Sequence, residues 1–125
     1  MMARVLVVED DLWSQRIVTD LLEMRGHEVI MAASVASARA ELAKQRPQVV
    51  LLDIHIPGGG GEILLREIRS SEVREKLPVI ALTASAMTGD KERFLRLGFT
   101  AYMSKPIDVK VFGPTIERLV AEAEQ

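Results

Sequence analysis

Three carboxylates close the first apolar run of the chain. Residues 4–8 read RVLVV, and Glu9, Asp10 and Asp11 follow at once. Repulsion and desolvation both disfavour acids in that position. A second apolar run, Val49 to Leu52, ends in Asp53, where a charge is costly unless it is paired. A third run, PVIALTA, carries Thr83 at its end, and a fourth, TAYMS, is followed by Lys105 and Pro106. If these runs are strands of one open parallel sheet, their carboxyl ends share an edge, which is where such sheets bind ligands. Three carboxylates, a hydroxyl and an ammonium then stand together. Carboxylates at close range do not all stay ionised unless a cation sits among them. Oxygen donors, with neither cysteine nor histidine at metal spacing, suit Mg²⁺.

The rest of the chain must position those groups. The pattern alternates strand and helix five times. Strands are predicted at RVLVV, HEVIMA, QVVLLDI, PVIALTA and TAYMS. The continuous apolar runs fit strands covered on both faces. A first helix is predicted from Leu12 to Arg25, with Ile17, Leu21 and Met24 as its apolar stripe and Gly26 at its left-handed end. Ser34 caps a second helix that runs to about Gln45. A third lies near Glu62 to Arg69, a fourth ends at Gly98, and a fifth reaches the C-terminus. The expected fold class is α/β: a doubly wound (βα)5 parallel sheet, flavodoxin-like, in strand order 2-1-3-4-5. That order makes the first and third strands neighbours and brings Asp10 to Asp53. A single domain over residues 1–125 is expected, with nothing after the fifth helix for an effector domain.

Composition narrows the function. With 125 residues, 48% of them apolar, the chain can bury a real core. A net charge of −2 gives no reason to expect nucleic acid or an anionic membrane as partner. The absence of cysteine excludes disulfides, thiolate zinc sites and thiol nucleophiles. No apolar run reaches membrane-spanning length and Met1-Met2 opens no signal peptide, so a cytoplasmic protein is expected.

Several residues have plainer explanations. Asp11 reads as the cap of the first helix. Thr83 is an ordinary strand former, and Lys105 alone would be a solvated charge. His27 reads as a surface residue at a strand entrance, and the six methionines as core filling. PGGGGE resembles a phosphate cradle, but Glu62 stands where a Walker loop needs Lys-Ser/Thr, so it reads as a turn.

The segments VVEDD, VVLLDIHIPGGGGEILLREIR, PVIALTA and YMSKPID together resemble the motifs of response-regulator receiver domains, the phospho-acceptors of two-component signalling. The resemblance covers essentially the whole chain. It implies that Asp53 accepts a phosphoryl group in a Mg²⁺-dependent reaction. Glu9 and Asp10 would hold the ion, Asp10 more directly, and the backbone carbonyl of His55 would complete the protein's share. Thr83 would be the switch hydroxyl, Tyr102 the switch aromatic, Lys105 the phosphate-binding lysine, and Lys105–Pro106 a cis peptide. The donor would be a histidine kinase or a histidine phosphotransfer protein, and the output a downstream protein target. A monomer or weak dimer is expected, and catalysis would be limited to the chain's own phosphorylation and dephosphorylation.

Trp13, the only tryptophan, stands three residues after Asp10. It reads either as half tucked into the core or as an exposed anchor for the phosphate donor. Two departures from the family pattern stand out: the three glycines Gly58, Gly59 and Gly60, and Gly113-Pro114, which falls within or opens the fifth helix. A haloacid-dehalogenase-type phosphatase is the first competing function, but it wants an acid where His55 stands. A phosphorylation-independent interaction module is the second, but it would be expected to lack one of Asp10, Asp53 or Lys105.

Overall fold

The computed structural model describes residues 1–84 and 89–125. Five strands and five helices alternate: β1 (Arg4–Val8), α1 (Leu12–Met24), β2 (Glu28–Ala32), α2 (Val35–Lys44), β3 (Val49–Asp53), α3 (Gly61–Ser70), β4 (Val79–Thr83), α4 (Asp90–Leu97), β5 (Ala101–Ser104) and α5 (Val109–Ala123). All strand pairs are parallel, in the order β2-β1-β3-β4-β5. The α/β fold and its strand order are those expected from the sequence.

The alternation of side chains along a strand explains the unbroken apolar runs. Leu6, Val8, Val50, Leu52 and Ala81 face one core, which Ala38, Leu64, Leu65 and Phe94 complete. Val5, Val7, Val49, Leu51 and Ile80 face the other, closed by Val18, Leu22, Phe112 and Ile116. Helix starts carry the caps their residues call for. Asp11 accepts from the Ser14 N–H at 2.8 Å, and Ser34 and Ser37 form a reciprocal capping box.

In α1 the structure corrects the sequence expectation. Val18 and Leu22 are the buried residues, whereas Ile17 is 44% and Met24 82% exposed. Both sets recur at helical spacing, and the stripe that meets α5 and the sheet is one residue on from the predicted one. The described methionines are not core filling either, and Met87 lies outside the described residues. Met1, Met2 and Met24 are exposed, and Met31 and Met103 only flank the core.

His27 is buried rather than on the surface. Its Nδ1 accepts from the Ala3 N–H at 3.0 Å, which places the ring proton on Nε2, 2.8 Å from Glu117 Oε2. Arg25 grips the same carboxylate at 2.8 and 2.7 Å. This cluster staples the start of β1 and the α1–β2 turn to α5. It also accounts for Gly113, since a Cβ there would collide with the Arg25 side chain. Helix α5 is continuous from its cap at Asp108, with Pro114 inside it. The lost backbone bond to Lys110 costs about 3 kcal/mol. Burial of Phe112, Ile116, Leu119 and Val120 on the same helix offsets it.

The Arg25 guanidinium holds the Glu117 carboxyl down at about 2, with His27 adding to the effect. A depressed folded value means that this stability is present above the ordinary carboxylate range and lost as pH falls toward 2. Urea midpoints of wild type and Glu117→Gln should therefore differ most near neutral pH and converge as pH drops from about 4.5 toward 2. A gap independent of pH would contradict the ion pair's role.

Candidate functional site

The site stands where β1 and β3 end side by side, with Val8 opposite Leu52. Strand β1 delivers Glu9 directly into the interior, and its side chain is fully buried. The Glu9 N–H donates to the Ala32 carbonyl, so the chain continues beside β2 for one more residue. Glu9 Oε1 accepts from the Asp11 N–H at 3.0 Å, and Gln15 Nε2 donates to the Glu9 carbonyl at 2.7 Å. The acidic turn is thus tied to the first turns of α1. Asp10 between them is exposed to solvent. Asp53 ends β3, almost wholly buried, and its Oδ1 accepts from the His55 N–H at 2.9 Å.

Lys105 reaches across both acids. Its N–H donates to the Thr83 carbonyl at 2.8 Å, which fixes the residue at the end of β5 beside β4. The Lys105–Pro106 peptide is cis, as the resemblance implies. Nζ donates to Asp53 Oδ2 at 3.2 Å and lies 2.6 Å from Glu9 Oε2. The second contact is a close ion pair, and Lys105 is the one positive group on the buried Oε2 among the described residues. Burial pushes the Glu9 carboxyl up, and Lys105 and the Asp11 N–H oppose it only in part. Burial would lower the Lys105 ammonium, but Glu9 and Asp53 outweigh it and hold it above its ordinary value.

Oxygens of Glu9, Asp10 and Asp53 lie within 4.8 Å of one another. One ammonium faces three carboxylates. An all-oxygen set with that charge deficit fits a hard divalent cation.

Thr83 is buried at the end of β4, opposite Ser104. Tyr102 lies opposite Ala81, half-buried, with its ring 5.5 Å from that of Phe94 on α4. The Arg93 guanidinium lies 4.5 Å over the Phe94 ring and pairs with Glu62 on α3 at 3.5 Å. Trp13 is 77% exposed, which removes the core interpretation. His55 is exposed at the rim.

Sequence reasoning missed two residues that shape the site. Gln15 gives no motif signal, because its bond is to a backbone carbonyl six residues away. Gly61 was read as part of a turn. A Cβ there would lie 2.8 Å from the Asp53 carbonyl oxygen and 3.1 Å from Leu52, so only glycine lets α3 start against the end of β3. Four glycines in a row hide which one is packed.

Comparison with known proteins agrees with this geometry. The family model for the response regulator receiver domain matches residues 5–116. The chain belongs to that family. It is a receiver domain of two-component signalling, a class that works with histidine kinases and downstream effectors. A curated relative, the polar-differentiation response regulator DivK of Brucella ovis, is 36% identical over 119 residues, covering 95% of this receiver and 97% of the relative. The receiver domain of the sensor histidine kinase PA1611 from Pseudomonas aeruginosa superposes with a TM-score of 0.86 at 30% identity, covering 97% and 99% of the two chains. That structure holds a magnesium ion in its active-site cleft. The chemotaxis regulator CheY4 of Vibrio cholerae gives a TM-score of 0.87 at 27% identity, over 95% and 99%. Among the described residues of this receiver, no helix is long and apolar enough to cross a membrane.

Removing Lys105 leaves Glu9 and Asp53 without their shared cation. Lys105→Met should lose about 3 kcal/mol in urea titrations run in EDTA. A divalent cation should then restore more stability to the variant than it adds to wild type. Equal stability of the two proteins in EDTA would show that the pairing contributes nothing.

Proposed function

We propose that Asp53 is the phospho-acceptor of this receiver and that Mg²⁺ supports the transfer. The observation that carries the proposal is the Asp53 carboxylate itself, bonded to Lys105 Nζ at 3.2 Å within a cluster that has one cation for three acids. A carboxylate oxygen of Asp53 attacks phosphorus of a phosphohistidine. The P–N bond breaks, its electron pair stays with the donor imidazole, and an acyl phosphate forms on Asp53. Phosphoryl transfer asks mainly for positioning and for neutralisation of spread negative charge. The His55 N–H on Oδ1 sets the orientation of the carboxylate, and Lys105 supplies a point charge to a phosphoryl oxygen. Glu9, Asp10, Asp53 and the His55 backbone carbonyl would hold Mg²⁺, which when bound shields the nucleophile from the incoming phosphoryl oxygens. Attack of water on the acyl phosphate later releases inorganic phosphate and restores the carboxylate.

The Thr83 hydroxyl donates to the phosphoryl group once it has arrived, and Tyr102 responds to that movement. The stacking of Tyr102 on Phe94 supports this reading, since it gives the ring a contact to exchange with α4. The donor is a histidine kinase or histidine phosphotransfer protein, docking on the exposed Trp13 at the start of α1. Residues 1–125 act as one receiver domain in the cytoplasm, as a monomer or weak dimer, with a protein target as output.

Incubation with acetyl phosphate and Mg²⁺ tests the acceptor. Intact mass should rise by one phosphoryl group in wild type and not at all in Asp53→Ala. Labelling of the variant at the wild-type rate would overturn the assignment, and steady turnover of phosphate esters would point to a phosphatase instead. Trp13→Ala tests the donor face. Its exposure means that the melting temperature should barely move. Transfer from the cognate phosphohistidine donor should slow at least tenfold while acetyl phosphate works as before. Unchanged transfer from that donor would remove Trp13 from the docking face.

A further inference from the structure

A second cleft opens at the other end of the sheet from Asp53. It lies where α2 ends, where the chain enters β3 and β4, and beside the last turn of α5. Strand β3 alone separates it from the phospho-acceptor by roughly 13 Å, at about 3.3 Å per residue. Its volume is about 490 Å³, within the range of small-molecule sites.

The walls and the rim differ in chemistry. Leu42, Pro47, Pro78 and Val120 lie buried beneath the cleft, Ala43 and Ala123 expose apolar walls at its sides, and Val73 stands 72% exposed at the mouth. The lining also holds Lys44, Arg46, Arg74 and Lys76 against one acid, Glu124. That excess of positive charge runs against the chain's net charge of −2. Glu124 is already engaged by Gln48 Nε2 at 2.9 Å. Lys44 pairs with Glu41 at 3.4 Å, and Arg74 donates to the Leu42 carbonyl at 2.7 Å, with no carboxylate on it. Arg46 and Lys76 have no ion-pair partner among the described residues.

We propose that this cleft binds a small amphipathic anion, a compound with an apolar ring or chain and an acidic head group. The apolar walls take the body of the ligand, and Arg46 and Lys76 take the head. A neutral apolar compound would gain nothing from the two cations, and a bare anion nothing from the apolar sides of the cleft. None of these residues belongs to the phosphorylation site.

Anilinonaphthalenesulfonate, which joins aromatic rings to one sulfonate, is the probe. Titration of the full chain under native conditions should show one saturable rise in emission. Arg46→Ala combined with Lys76→Ala should weaken binding at least tenfold. Both side chains are exposed, so melting should not change. Val73→Asp, which puts a negative charge at the mouth, should weaken binding similarly and decides the matter if the double variant misfolds. Phenylnaphthylamine, with the same rings and no sulfonate, should bind at least tenfold less tightly. No saturable site, equal binding by these variants or by the neutral probe, or loss of binding on Met24→Ala in the exposed face of α1 would overturn the proposal.

Discussion

One ammonium shared between two buried carboxylates sets the terms for the site. Glu9 is driven inside by β1, and Asp53 closes β3, its neighbour in the sheet. Alone, each carboxylate would be costly to bury, and side by side they repel. Lys105, at 2.6 Å from one and 3.2 Å from the other, makes the arrangement tolerable without balancing it. Asp10 adds a third negative charge at the same mouth. The imbalance fits the edge to a hard divalent cation, as proposed above.

Everything near that edge aims or frames these side chains. The strand order brings Glu9 to Asp53, and the backbone bond from Lys105 to the Thr83 carbonyl carries β5 into place. Gly61 lets α3 begin in contact with the Asp53 backbone. The remote end of the molecule is held by different chemistry. Arg25, His27 and Glu117 join α5 to the first turns of the fold. Arg69, whose guanidinium is lowered by burial, ties α3 to the carbonyls of Gly98 and Leu77. The first clamp pairs its charges within itself and the second caps backbone carbonyls, whereas the acidic edge sets one ammonium against three carboxylates. The separation lets a strained charge cluster persist in a fold stabilised elsewhere.

The strands and the acid cluster were legible because one physical rule serves both. A run buried on two faces is apolar throughout, so a charged residue at its end stands out, as Asp53 does after Val49 to Leu52. Helix caps were legible for a similar reason, since Asp11 and Ser34 act within a few residues of themselves. What escaped depends on distant partners. His27 looks like a surface histidine until Glu117, 90 residues on, is placed beside it. Gly113 looks like a helix breaker until Arg25 lies across it. In α1, two apolar stripes offer equal periodicity, and only contact with α5 and the sheet selects Val18 and Leu22 over Ile17 and Met24.

We propose that the charge deficit at Glu9, Asp10 and Asp53 holds one divalent cation. A crystal grown with Mn²⁺ and measured at a wavelength where manganese scatters anomalously tests it directly. A single strong anomalous peak is expected among those three carboxylates, in contact with oxygen of Asp10 and Asp53. A map with no peak there, or with manganese bound only at other surface acids, would contradict it.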